Sequence, residues 1–205
     1  SKIAIFAENR LEWVYAFYAG FMTKSILVPI DFMLPVDDLS YILSDSKPEV
    51  IFYSNETKEK VEEAIVSTEL SITQINIDEF NLEDFKTDTE TLPELDTEDT
   101  AVIMYTSGTT GKPKGVMLSY GNILSNINGV TEFVKIYTET TKTLVLLPLH
   151  HILPLAGSVL ATLHAKGAAV FTPSLNSEDV VATLEKHKIN NIIAVPRFYS
   201  LIRKS

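Results

Sequence analysis

Short β-branched runs alternate with amphipathic stretches along almost the whole chain, and that rhythm is its clearest structural signal. Ile3-Ala-Ile-Phe6 reads as a strand. From Arg10 to Lys24 the residues Leu11, Val14, Tyr15, Tyr18, Phe21 and Met22 recur at three- and four-residue spacing, which predicts a helix with those side chains on its apolar face. Trp13 belongs to the same helix, as a core or half-buried aromatic. Ile26-Leu-Val-Pro29 predicts a second strand. Pro35 opens a helix at its first turn, with Leu39, Ile42 and Leu43 on one face, and Val50-Ile-Phe-Tyr53 follows as the third strand. Asn55 is placed to cap a charged helix carrying Val61, Ala64 and Ile65. Ser71 to Ile77 is a further strand.

The pattern resumes with strands at Ala101 to Tyr105 and Val116 to Leu118 and a helix from about Gly121 to Val134. Strands near Leu144 to Leu147, Ala168 to Phe171 and Asn191 to Ala194 then alternate with helices near Leu155 to Ala165 and Glu178 to His187. This alternation predicts an α/β fold: mainly parallel sheets with helices on both faces. No repeat of solenoid type interrupts it.

Between the two halves the polarity changes sharply. Residues 78 to 99 hold ten acids against the single Lys86, which accounts for −9 of the formal charge of −10. The segment reads as a solvated connection and divides the chain into an αβ portion at 1–77, the acidic connection at 78–99 and a second αβ portion at 100–205. With no basic stripe elsewhere, a nucleic-acid partner loses support. A chain of 205 residues with 45% hydrophobic content can bury a sizeable core. No apolar run approaches the ~20 residues of a spanning helix, so no transmembrane segment is expected and the location is read as cytoplasmic, with peripheral membrane contact left open. The lack of cysteine excludes disulfides, thiol catalysis and thiolate zinc sites.

The candidate chemistry sits at the end of the strand Ala101 to Tyr105. Tyr105-Thr-Ser-Gly-Thr-Thr-Gly-Lys-Pro-Lys-Gly115 places three glycines, four hydroxyls and two lysines in one short segment. Glycines let backbone N–H groups approach an anion closely, hydroxyls add donors, and lysines add charge on flexible stems. The segment fails the Walker pattern, because Gly111-Lys112 is followed by Pro113, and it contains no Gly-x-Gly-x-x-Gly. Gly108-Thr-Thr-Gly111 formally matches the clamp of a KH domain, but that clamp joins two helices and this segment follows a strand.

Tyr105 to Val116, continuing through Leu118-Ser-Tyr-Gly-Asn122, resembles the signature of the adenylate-forming enzymes: acyl-CoA synthetases, luciferases and nonribosomal peptide adenylation domains. Ile5 to Trp13 resembles the opening of many such domains, so the likeness covers most of the chain. The resemblance implies that Thr106, Ser107, Gly108, Thr109, Thr110, Gly111, Lys112, Lys114 and Gly115 contact the ATP phosphates, Lys112 from a more exposed position.

Leu146-Leu-Pro-Leu-His-His-Ile-Leu-Pro154 sets two imidazoles just past a strand expected to end at Pro148, where ligands of open α/β sheets gather. Adjacent histidines are expected to point apart and to chelate a metal poorly. The resemblance implies that His151, with His150 beside it, lines the carboxylate and adenylate pocket. Val195-Pro-Arg-Phe-Tyr199 is similar to a segment of long-chain acyl-CoA synthetases.

The implied activity is ATP-dependent activation of a fatty acid as acyl-AMP and transfer to coenzyme A, with Mg²⁺ on the nucleotide phosphates and the catalytic residues and metal site outside these positions. The resemblance further implies a partial N-terminal domain whose own C-terminal domain is a missing partner, inactive by itself. An amino-acid adenylation domain, an aryl-CoA ligase and a non-catalytic nucleotide-binding module remain alternatives.

Overall fold

The computed structural model describes residues 1–79, 93–106, 111–133 and 135–195. They form two compact units, residues 1–122 and residues 123–205. This division falls after the second strand of the glycine-rich hairpin and not in the acidic connection.

In the first unit β1 (Lys2–Phe6), β2 (Ile26–Pro29), β3 (Val50–Tyr53), β4 (Thr73–Asn76), β5 (Thr100–Thr106) and β6 (Lys114–Ser119) build one sheet in the order β4-β3-β1-β2-β5-β6. All neighbours run parallel except the β5–β6 pair. Helices α1 (Leu11–Met22), α2 (Val36–Ser46) and α3 (Lys58–Thr68) fill the crossovers that parallel pairing requires. Successive strand residues face opposite sides, and here both sides are covered. Ala4, Phe6, Val28, Ile51 and Tyr53 pack with Leu39, Ile42 and Leu43 of α2 and Val61 and Ala64 of α3. On the other face Leu27 lies directly against Gly20 of α1.

The buried face of α1 is Trp13, Ala16, Phe17 and Gly20, with Val14 beside it. This corrects the face expected from the larger apolar residues: Leu11, Tyr15 and Met22 are exposed. The helix is apolar nearly all round, so its residues at 13, 16, 17 and 20 satisfy the helical period as well, and the two small ones permit close approach to the sheet. Asn55 does not cap α3. Thr57 holds the N-cap position, and its hydroxyl accepts from the Ser54 N–H at 3.0 Å and donates to the Phe6 carbonyl at 2.8 Å, tying the turn to β1.

Beyond the carboxyl ends of β1, β3 and β4, Arg10 donates to Glu8 at 3.2 Å, Glu12 at 2.7 Å and Asp78 at 2.5 Å. Glu8 also accepts from the Ser54 hydroxyl, and Asp78 from the Asn55 N–H. At the other end of the acidic stretch Asp99 pairs with Lys24 at 2.8 Å. Both flanks of that stretch are therefore tied to the sheet's surroundings, while 80–92 lie outside the described residues.

Helix α4 (Tyr120–Phe133) leads into the second unit. There β7 (Lys142–Val145), β8 (Ala168–Phe171) and β9 (Asn191–Ile192) form a parallel sheet in the order β8-β7-β9. One helical stretch, α5 (Ile152–Pro154), π-wound Leu155–Ala161 and α6 (Thr162–His164), connects β7 to β8, and α7 (Ser177–His187) connects β8 to β9. The buried Thr143 hydroxyl joins Thr162 at 2.7 Å and accepts from Asn191 at 2.9 Å, so one polar group fastens β7 to the helix and to β9. The Asn176 side chain caps α7 by accepting from the Asp179 N–H at 2.8 Å.

Candidate functional site

The glycine-rich motif is a hairpin at the edge of the first sheet. Strand β5 runs past the carboxyl end of its one parallel neighbour, β2, and β6 returns antiparallel with Thr106 opposite Lys114 and Tyr105 opposite Gly115. Thr106 and Lys114 therefore stand at the sheet end where open α/β folds collect ligands. Ser107, Gly108, Thr109 and Thr110 lie outside the described residues. Thr106, Gly111, Lys112, Lys114 and Gly115 are described, and all five are exposed.

Gly111 has φ +91, a backbone state that side chains resist, so glycine there permits the return toward β6. Gly115 answers a different need. A Cβ at that position would sit 2.8 Å from Cγ2 of Ile103 and 3.2 Å from Cζ of Tyr105. The bare glycine lets the tyrosine ring lie across the strand opposite, a cross-strand arrangement in which the aromatic also shields the glycine backbone.

The Tyr105 hydroxyl donates to Oδ2 of Asp45 at 2.5 Å. Burial first, and then the neighbouring Asp45 carboxylate, push the phenol well above its ordinary range. The Lys112 ammonium lies 5.0 Å from the centroid of the Tyr41 ring, in cation–π range. Among the described residues neither Lys112 nor Lys114 is in an ion pair. Two exposed ammonium groups beside a glycine turn and the Thr106 hydroxyl suit a polyanion. Asp45 and Tyr41 were not legible as neighbours of the motif, because their only local signal is a four-residue spacing on α2.

In the second unit β7 ends at Val145, three residues before the expected stop. The histidines depart further from expectation. Their Nε2 atoms face each other at 3.2 Å, with ring centroids 4.2 Å apart and planes inclined by 57°. Adjacent residues converge here because the chain turns: the His151 N–H reaches back to the Pro148 carbonyl, and the His151 carbonyl accepts from the Leu155 N–H. His151 is the N-cap residue of the helical stretch and is exposed, while His150 is buried. Among the described residues no group of three or more His, Cys, Asp or Glu is placed to hold a metal. The π-wound segment that follows contains Ser158, fully buried with a hydroxyl that has no hydrogen-bond partner among the described residues, and π geometry recurs at functional positions. Val195 is exposed; residues 196–199 of the segment it opens lie outside the described residues.

The AMP-binding enzyme family matches residues 1–205. Fatty acyl-CoA synthetase B of Dictyostelium discoideum is 30% identical over 225 residues, covering 99% of this chain and 33% of that protein. Feruloyl-CoA synthase of Amycolatopsis is 27% identical over 201 residues, covering 98% and 40%. The crystal structure of the N-terminal domain of FACL13 from Mycobacterium tuberculosis superposes with a TM-score of 0.88 at 22% identity, over all of this chain and 52% of that one. With the family matched from end to end, the chain belongs to the AMP-binding enzymes. It spans about a third to two fifths of the length of these curated relatives. Its fold is that of the N-terminal domains of adenylate-forming enzymes. No described helix is long and apolar enough to cross a membrane.

Proposed function

We propose that this chain is the phosphate-binding part of an ATP-dependent acid–thiol ligase that activates a fatty acid as acyl-AMP and passes the acyl group to coenzyme A. The observation that carries the reading is the β5–β6 hairpin, which presents Thr106, Gly111, Lys112 and Lys114 together at the ligand-gathering end of a parallel sheet. The likeness to a fatty acyl-CoA synthetase supports the substrate class.

Attack of a carboxylate oxygen on the α-phosphorus forms the acyl–oxygen–phosphorus bond and breaks the bond to the β-phosphate, releasing pyrophosphate. Two anions must meet and charge concentrates on phosphate oxygens, so positioning and electrostatic stabilisation supply most of what a protein can contribute. The ammonium groups of Lys112 and Lys114 offset that charge, and the Thr106 hydroxyl donates a hydrogen bond. Ser107, Gly108, Thr109 and Thr110 belong to the same proposed set on sequence grounds. Mg²⁺ would enter with the nucleotide and supply further positive charge to its phosphates beside Lys112, Lys114 and the Thr106 hydroxyl. His151 and His150 are proposed to face the carboxylate and the adenylate. The catalytic steps are proposed to need parts of the enzyme other than these positions, so residues 1–205 alone will not make acyl-adenylate.

The test is pyrophosphate release by the full-length enzyme with ATP and a panel of fatty, aromatic, amino and dicarboxylic acids. Medium or long fatty acids are expected to turn over, and failure of all of them would sink the substrate assignment. Turnover of an aromatic or amino acid instead would move the enzyme to the aryl-CoA ligases or adenylation domains. In the same assay Lys114→Ala should raise KM for ATP roughly tenfold, the equivalent of one charge-assisted hydrogen bond.

A further inference from the structure

Helix α2 touches the glycine-rich hairpin from a distance of sixty residues in sequence, and it does so on both sides of the turn. Tyr105 stands at the end of β5 just before the motif's hydroxyl cluster, and its hydroxyl reaches Asp45 at 2.5 Å. Lys112 stands after the turn, and its ammonium lies over the ring of Tyr41. Tyr41 and Asp45 are four residues apart in α2, so they share one helix face. The helix itself is anchored: Leu39, Ile42 and Leu43 are buried in the main core, and Tyr41 and Tyr105 pack against that cluster.

Asp45 is out of place by the rules of its own helix. It sits in the last turn of α2, where carbonyls already concentrate negative charge, and that turn holds no basic residue. A carboxylate at that position is locally unfavourable, and the hydrogen bond from Tyr105 supplies the partner it lacks. Gly115 completes the arrangement, because any larger residue would push against the Tyr105 ring.

We propose that α2 holds the flanks of the hairpin, with Asp45 acting through Tyr105 and Tyr41 acting through Lys112 as positioning residues for Thr106, Lys112 and Lys114. The proposal rests on the phosphate-loop reading above and adds to it the two residues that hold the loop's ends. With Tyr105 and Lys112 held, the Thr106 hydroxyl and the Lys112 ammonium lose less freedom when they meet a polyanion. Neither residue needs to touch phosphate. Their loss should therefore raise KM for the nucleotide while kcat at saturation changes little.

The experiment compares Tyr105→Phe, Asp45→Ala, their double variant and Tyr41→Leu in the full-length enzyme, with Mg-ATP binding read by calorimetry. Each of the first two is expected to weaken binding about three- to tenfold. The double variant should be no worse than either single one, because all three remove the same hydrogen bond. Asp45→Asn keeps an acceptor and should restore most of the affinity, which guards against a trivial folding defect in Asp45→Ala. Tyr41→Leu should weaken binding two- to fivefold, and tighter binding would show that the ring competes with the anion and would overturn that half of the proposal.

A second readout needs no ligand. Amide exchange at Thr106 and Lys112 should accelerate in Tyr105→Phe and Asp45→Ala, and the Tyr105 phenol, followed by ring-labelled NMR, should titrate at lower pH in Asp45→Ala. Unchanged exchange and titration would overturn the clamp outright. If wild-type enzyme binds neither Mg-ATP nor inorganic tripolyphosphate, the phosphate reading falls instead, and exchange and titration still decide whether α2 holds the hairpin.

Discussion

The two sheets are built from the same strand–helix alternation but differ in how completely their residues enclose them. In the first unit the parallel strands β1, β2 and β3 are covered on both faces, and Phe6, Phe17, Trp13, Leu27, Leu39 and Leu43 are almost wholly removed from water. Full burial of one such side chain contributes about 1.5–3 kcal/mol, so this sheet carries a large apolar reserve. In the second unit Leu144, Leu146 and Val180 form a buried cluster with Leu184, Ile189 and Ile192 packed partly against it, and Val145, Leu149, Leu155, Val159 and Leu160 are buried as well. Strand β8 is half-covered, and Phe133, Ile136, Leu153, Leu175 and Val181 are exposed. Equal patterning thus does not imply equal enclosure. A helix period places apolar residues on a face, but only a second element can take that face from water.

The comparison can be broken most directly in the cores. Phe17 stacks on Trp13 at 5.5 Å and meets Phe21 edge-on at 4.7 Å, so Phe17→Ala should cost about 3–5 kcal/mol and lower the thermal midpoint by roughly ten degrees or more. Leu144→Ala removes an equally buried but smaller side chain and should cost about 2–4 kcal/mol, because fewer atoms leave the core. Calorimetric melting of the two variants is the check, and a larger loss from Leu144→Ala would reverse the ranking of the cores.

A smaller effect is expected from the polar side of the first unit. Arg10→Ala ends three charge-assisted hydrogen bonds at the carboxyl ends of β1, β3 and β4, at a cost of about 1–2 kcal/mol after allowance for partial exposure. Denaturant unfolding measures it, and a loss below a few tenths would show the cluster to be solvated decoration.

The smallest effect is in acid. The Asn55 N–H first, and then Arg10, hold the Asp78 carboxyl below its ordinary 3.8, and Arg10 holds the Glu12 carboxyl below 4.5. In that window the unfolded chain binds more protons than the folded one, so their contribution is complete above about pH 4.5 and is lost as pH falls through the folded values. Thermal midpoints measured from pH 5 to 3 should fall more steeply in the wild type than in Arg10→Ala. Parallel curves would remove these two carboxyls from the account.

Much of the architecture was legible from local pattern. Strand β8 and the apolar face of α2 fall where β-branched runs and helical spacing placed them, because each is fixed by residues close in sequence. The misreadings share one cause. On α1, several apolar stripes satisfied the same period, and the choice among them depended on which one meets β2. Asn55 is a competent cap by residue type, but its side-chain oxygen is taken by the Asn76 amide at 2.8 Å, a partner from another strand. The two histidines face each other because the chain turns at Pro148, which adjacency in sequence does not encode. At the candidate site the glycine and lysine positions were readable from composition. Asp45 and Tyr41 were not, since nothing in α2 announces the hairpin it meets.

Gly115 makes the same point on the scale of inheritance. Ile103 and Tyr105 lie two residues apart on β5 and project to the same side of the strand, and together they occupy the space a side chain at 115 would need. The tolerance of position 115 is therefore not a property of that position. A mutation there meets its penalty from the neighbouring strand, and a smaller residue at 105 would lift part of it. The last glycine of the motif and its first tyrosine form an epistatic pair, so the sequence space open to one is set by the occupant of the other.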